Sequence, residues 1–528
     1  MAFFAAPRHS RGDEERALVS GSVKRIVIVG GGTAGWLAAA RIAAAARPDT
    51  LNVTLIEAPD IPTIGVGEGT WPTMRRTLSR IGIIEAEFLT ACDASFKQGS
   101  RFIGWRDGRD AYHHPFTPPV EGSAGALMAG WDGEGAFADA VCAQPSVAER
   151  ALAPRQPAMP DYAGAVNYAY HLDAGKFAGL LRAHATERLG VVHVADHVEH
   201  VVPGEGDTIA AVATRTNGDI AGDLFIDCTG HAALLIGGHY GVPFVDRSDV
   251  LFNDRALAVQ VPVAPGSPIT AVTDATAHEA GWIWDIGLPT RRGVGCVYAS
   301  AHMSDDCAAA VLTDYLRRTA PDCDPAALSF RQLQFRSGHR ERFWVGNCLA
   351  IGLSAGFLEP LEASAIVLIE LSLDALVEDF PADRAAMAGA ARRFDARFRQ
   401  RWDRIVAFLK LHYALSERQG PYWQAHRDPA SVPGDLAEML TRWQHRAPMP
   451  SDFEAVDELF PAASHQYVLY GMGAPVPPPP AMRVEDETAV AERMAQLRQR
   501  ARTLTASLPT NRTYLDNLAA RPLLKEAR

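Results

Sequence analysis

The chain has 528 residues, 48% hydrophobic and 21% charged, an ordinary globular balance with length for two or three packed subregions. Its net charge of −11 argues against nucleic acid or an anionic membrane surface as the main partner, because those reward clustered Lys and Arg. No apolar run reaches the roughly 20 residues of a bilayer span. The seven cysteines are scattered without a CxxC pair, so neither a metal site nor a disulfide framework is expected, and a reducing, cytoplasmic location is the default.

Residues 1–22 carry one short apolar patch and no secretion-type core, which predicts a flexible tail. Residues 24–29 form a short apolar strand that runs into a glycine turn. An Ala-rich helix over 36–46 and a second strand over 53–56 follow, so the opening reads βαβ. Gly30-Gly31-Gly32-Thr33-Ala34-Gly35 satisfies G-x-G-x-x-G in that context. Gly30 allows the tight turn, Gly32 lets the backbone approach a pyrophosphate, and Gly35 lets helix and strand pack closely. Thr33 and Ala34 lie in the turn that leads into the helix, whose free N–H groups and partial positive charge suit phosphates. Glu57 ends the second strand, where a carboxylate accepts both ribose hydroxyls.

Residues 108–160 are rich in Gly, Pro and Ala with weak periodicity and read as surface loops and caps. Strand patterns follow at 191–194, 209–214 and 224–227, then in a block covering 257–263 and 282–298. Two of these segments enter small-residue turns: 224–230, with Asp227 at the strand end, and 347–356, with Gly352, Leu353 and Ser354. In large flavoproteins such returning strands reach the far end of the dinucleotide. Together with the first motif they favour FAD, although each alone reads equally well as core strand and turn. No second G-x-G-x-x-G is present for a nicotinamide, so the flavin must be reduced by something else. Helical periodicity dominates after Glu362, over 373–380, 385–407 and 490–506, with a Pro-rich linker at 475–480. The expected fold is α/β: a Rossmann-type FAD-binding domain interleaved with a β-rich substrate domain over 23–380, then a helical region over 381–528 that contributes to the substrate pocket.

Several phrases carry a resemblance. Gly65-Val66-Gly67-Glu68-Gly69-Thr70-Trp71-Pro72 is followed by a helix, then by Ala94-Ser95-Phe96-Lys97 and Trp105. Residues 168–177, Trp282-Ile283-Trp284-Asp285-Ile286 and the 356–364 segment with Glu359-Pro360-Leu361-Glu362 continue it. Over most of its length the chain resembles the flavin-dependent tryptophan halogenases. The resemblance implies an enzyme that uses FADH2, O2 and a halide ion, chloride or bromide, to make hypohalous acid. That oxidant crosses a tunnel to an indole-type or other aromatic substrate, a small molecule or a peptide. It implies a separate flavin reductase as partner, is compatible with a homodimer, and places Gly67 at the cofactor.

The family's catalytic glutamate matches Glu362, and its halide positions match Ser364 and Ala365, where Thr and Gly are usual. Counted from Gly65, the family's catalytic lysine falls on Arg76, and Lys97 falls at a different family position. A guanidinium stays protonated, so Arg76 suggests an alternative: a flavin monooxygenase or other oxidoreductase on this scaffold that does not halogenate. Trp282 and Trp284 share one strand face and match the partition between flavin and substrate, with Gly287 where proline is usual; a pair of core tryptophans would show the same spacing. His114 and Phe116 match the residues that stack on the indole, and Tyr467 lies where the family contacts substrate. His171 reads as a hydrogen-bonded structural histidine.

Overall fold

Residues 25–29 read Arg-Ile-Val-Ile-Val, the continuous β-branched run of a strand covered on both faces. The computed structural model describes residues 21–61, 67–120, 131, 133, 135–477 and 487–520, and it places this strand inside a six-stranded sheet. The order is Trp344–Val345, Cys348–Ala350, Leu224–Asp227, Arg25–Val29, Asn52–Glu57, Val192–Ala195. All neighbours are parallel except the first pair. Helix Thr33–Ala45 packs between Ala174–Glu187 and Ser364–Glu378, and its alanines keep those neighbours close. The fold is the expected α/β one.

A seven-stranded sheet lies beyond it, in the order Arg331–Gln334, Arg255–Pro262, Arg291–Tyr298, Gly281–Gly287, Thr273–His278, Gly99–Ile103, Ala111–Pro115. Gly281–Gly287 is buried throughout and pairs antiparallel on both sides. A three-stranded sheet lies between Gly67–Gly69 and Ser95–Lys97, with Ala169–Asp173 as its centre. Gly69 and Ser95 both lie opposite His171 in it. That shared partner draws the glycine phrase and the Ala-Ser-Phe-Lys phrase to one place.

Two sequence expectations need correction. Among the described residues, the stretch over 108–160 is not all surface loop: strand Ala111–Pro115 and helices Phe137–Val141 and Gln144–Ala148 bury Phe137, Val141, Gln144 and Val147. Its loop-like composition hides aromatic anchors, since Phe137 packs on Trp131, Tyr467 and Tyr470. The helix expected over 385–407 runs as Arg384–Ala414, which carries Phe394, Phe398, Trp402, Phe408 and His412 into the core. Residues 1–20, Gly65, Val66 and the end of the Pro-rich run lie outside the described residues. Among the described residues, no helix is long and apolar enough to cross a membrane, and no His/Cys/Asp/Glu group suits a metal ion.

Candidate active site

A cavity of about 640 Å³ begins at the glycine turn. Gly30 has φ +112°, and a Cβ there would lie 2.2 Å from the Cys228 carbonyl oxygen. A Cβ on Gly35 would lie 1.8 Å from the Gly30 oxygen, so only glycine lets helix and strand approach this closely. Gly32 is different: nothing stands within 4 Å of its Cβ position, which leaves its backbone open to the cavity. Thr33, Ala34, Gly67, Gly352 and Leu353 also line the space. The Glu57 carboxyl lies against Gly31, and its Oε2 is 3.1 Å from His193 Nε2 on the neighbouring strand. A bare-backbone cradle at a helix start, with an acid at the adjoining strand end, fits FAD. Replacing Glu57 with alanine is expected to weaken FAD binding about 10- to 100-fold, since hydrogen bonds to a charged acceptor contribute about 1.5–3 kcal/mol. Fluorescence titration measures this, and a dissociation constant within twofold of the parent refutes the role.

Two residues expected at the cofactor are turned away from it. Asp227 is fully buried and spends its carboxylate on its own turn: Thr229 N and Oγ1 donate to Oδ1 (3.0 and 2.6 Å), and Leu235 N and Ile236 N donate to Oδ2 (2.9 and 2.8 Å). Ser354 Oγ donates to the Asp227 and Ile351 carbonyls. Both fix the turn whose backbone borders the cavity at Cys228, Thr229 and Gly230.

The same cavity is also lined by Lys97, Glu362, Ser364 and Ala365. Lys97 is buried, with Nζ 5.4 Å from the centre of the Phe116 ring, and has no hydrogen-bond partner among the described residues. Burial lowers its pKa to about 8, against the pull of Glu362 in the opposite direction. Glu362 and Ala363 both have left-handed backbone, φ 64° and 54°, at a cost of about 1–3 kcal/mol each. That turn aims the Glu362 carboxylate at two histidines. His114 Nδ1 lies 2.6 Å from Oε1, and His412 Nε2, from the long helix, lies 3.3 Å from the same oxygen.

Burial alone would raise the Glu362 carboxyl, but His114 and then His412 outweigh it and hold it far below the usual carboxylate range. Tyr112 fixes the second histidine. Its buried hydroxyl lies 2.8 Å from His412 Nδ1, and in the tautomer where the hydroxyl donates, the Nε2 proton faces Glu362. His412, Tyr112 and His193 carry no sequence signal of their own; they arrive through long-range packing.

Arg76 is not in this cavity. Helix Thr73–Ile81 turns Met74, Thr77, Leu78 and Ile81 inward, so Arg76 points outward, 54% exposed, and pairs with Asp374 at 3.1 Å beside Arg41 and Arg80. Lys97, on another element, lines the cavity instead, with its Nζ 3.0 Å from where a Cβ on Gly69 would stand. The non-halogenating alternative drew on Arg76, together with Ala363 and Gly287, and the placement of Arg76 outside the cavity no longer favours it.

His114, expected to stack on the substrate ring, has its edge tied to Glu362 through Nδ1. Its ring lies 5.8 Å from Phe408 and 6.0 Å from Tyr467, whose hydroxyl donates to the Thr117 carbonyl. Trp71 stands between Phe116 (5.9 Å) and Phe460 (5.0 Å). Trp282 and Trp284 line the cavity with ring centres 6.4 Å apart, and Trp282 Nε1 donates to Glu359 at 3.2 Å. His171 Nε2 bonds Thr273 Oγ1 at 2.8 Å in the core.

The family model described as tryptophan halogenase matches residues 25–487. The chain belongs to the tryptophan halogenase family. Tryptophan 6-halogenase SttH of Streptomyces toxytricini is 34% identical over 94% of this chain and 98% of its own. Tryptophan 7-halogenase RebH of Lentzea aerocolonigenes is 34% identical over 94% and 99%. The crystal structure of a tryptophan halogenase from Shewanella frigidimarina superposes with a TM-score of 0.91 at 45% identity, over 94% of this chain and 98% of that one. The chain is therefore a flavin-dependent halogenase by family, an enzyme that works with FADH2 and halide.

Proposed function

We propose that this halogenase modifies an indole-type or other aromatic compound, with Lys97 and Glu362 handling the oxidant. The observation that carries the reading is the meeting of a buried lysine and an ionised glutamate in the wall of the nucleotide cavity. FADH2, when bound, would give two electrons to O2, and the oxygen so activated would take two more from halide to make hypohalous acid. The N–H groups of Ser364 and Ala365, at the uncapped start of helix Ser364–Glu378, suit the halide. The Lys97 ammonium donates a hydrogen bond to the hypohalous acid and holds it toward the substrate. One ring C–H bond is then replaced by C–halogen: the Lys97 ammonium gives a proton to the departing hydroxide, which leaves as water, and Glu362 accepts the ring proton, whose return to Lys97 restores both groups.

Phe116, Trp71 and Tyr467 supply flat faces for an aromatic ring, while Trp282 and Trp284 hold the flavin apart from it. A separate flavin reductase supplies FADH2. The test combines the protein with FAD, a flavin reductase, NADH, bromide and indole. A product heavier by one bromine in place of hydrogen is expected. A product that gains only oxygen overturns the reading and restores the monooxygenase.

A further inference from the structure

The peptide between Glu362 and Ala363 is held from both sides. Its carbonyl oxygen accepts from Trp71 Nε1 at 2.9 Å, and its N–H donates to the Pro360 carbonyl at 3.0 Å. This peptide joins two consecutive non-glycine residues in left-handed conformation, an arrangement that persists only where the surroundings enforce it. Its orientation sets two things at once: the direction of the Glu362 carboxylate, and the row of N–H groups that opens the following helix into the cavity. Trp71 is in turn wedged between Phe116 and Phe460, and Phe460 stacks on Phe408 of the long helix at 3.8 Å.

We propose that Trp71 is a positioning residue, whose indole N–H locks the Glu362–Ala363 peptide and thereby sets both the carboxylate and the halide-facing amides. The proposal rests on the site reading above. Trp71 does not touch the reacting atoms; it acts through Glu362. Because its ring also borders the aromatic cluster, its hydrogen bond ties the substrate side of the site to the oxidant side.

The test separates the N–H from the ring. Trp71→Phe removes both the N–H and half the ring, whereas site-specific replacement of Trp71 by benzothienylalanine keeps the bicyclic shape and removes only the N–H. With FAD bound, both variants are expected to show a KM for bromide raised tenfold or more, and a larger share of O2 released as hydrogen peroxide. FAD affinity should stay within twofold, and amide hydrogen exchange over residues 363–366 should accelerate. Reinsertion of tryptophan through the same suppression system restores the parent values. A benzothienylalanine protein with unchanged bromide KM, peroxide share and exchange overturns the proposal. So does a parallel fall in melting temperature and FAD affinity, which makes Trp71 a general structural residue. The exchange measurement needs no turnover, so a parent enzyme that fails to brominate defeats the site reading while leaving the peptide lock separately readable.

Discussion

Lys97→Met is expected to abolish halogenation and, at the same time, to raise the melting temperature. An ammonium lowered from 10.5 to about 8 by burial disfavours the charged folded state by about 3 kcal/mol. Methionine fills similar space without a charge to desolvate, so for a chain of this length the gain corresponds to roughly 3 °C. The sign has a definite pH dependence. Below pH 8 both folded and unfolded Lys97 are protonated, and the whole penalty is present. Between pH 8 and 10.5 the folded protein releases the proton while the unfolded chain keeps it, so the parent gains stability and the gap to the variant closes. A variant that melts lower than the parent at pH 7, or a gap that widens with pH, refutes the burial of a costly ammonium. Stability lost to function in this way is what a reactive site built on a desolvated lysine entails.

The second large effect falls on Glu362. Glu362→Gln keeps the volume and a carbonyl acceptor but removes the charge that both histidines stabilise. A loss of about 100-fold or more in kcat is expected from removing a positioned proton acceptor, with FAD affinity unchanged, because the carboxylate is engaged by His114 and His412 and not by the glycine turn. The parent carboxylate is held ionised far below the ordinary range, so protonation of Glu362 gives no acid limb at pH 4–5. Retention of more than a tenth of kcat in the variant, or a parent profile that breaks near the ordinary glutamate pKa, contradicts this role.

Local features were legible in the sequence and long-range ones were not. The turn from Gly30 to Gly35 could be read because strand, turn and helix are contiguous, and each glycine has a separate steric reason that follows from its position. Asp227 and Ser354 were misread for a local reason: an acid or serine after a strand looks the same whether it faces a nucleotide or caps its own turn. Lys97 was displaced in favour of Arg76 because linear counting ignores the strand Ala169–Asp173, which aligns two phrases 28 positions apart. His412 lies fifty residues from Glu362 on a helix whose apolar spacing shows only that it packs inward. Only the fold shows which inward-facing side chain reaches the carboxylate.

Lys97→Ala and Arg76→Ala, compared in parallel for brominated product and O2 consumed, decide most directly which basic residue the chemistry uses. Arg76→Ala should keep at least half of the parent's product yield, since its guanidinium shares Asp374 with Arg41 and Arg80 on the outer side of the helix. Lys97→Ala should go on consuming O2 and release hydrogen peroxide with no brominated product. Bromination at the parent rate by Lys97→Ala, or its loss in Arg76→Ala, would contradict the placement of the lysine at the oxidant.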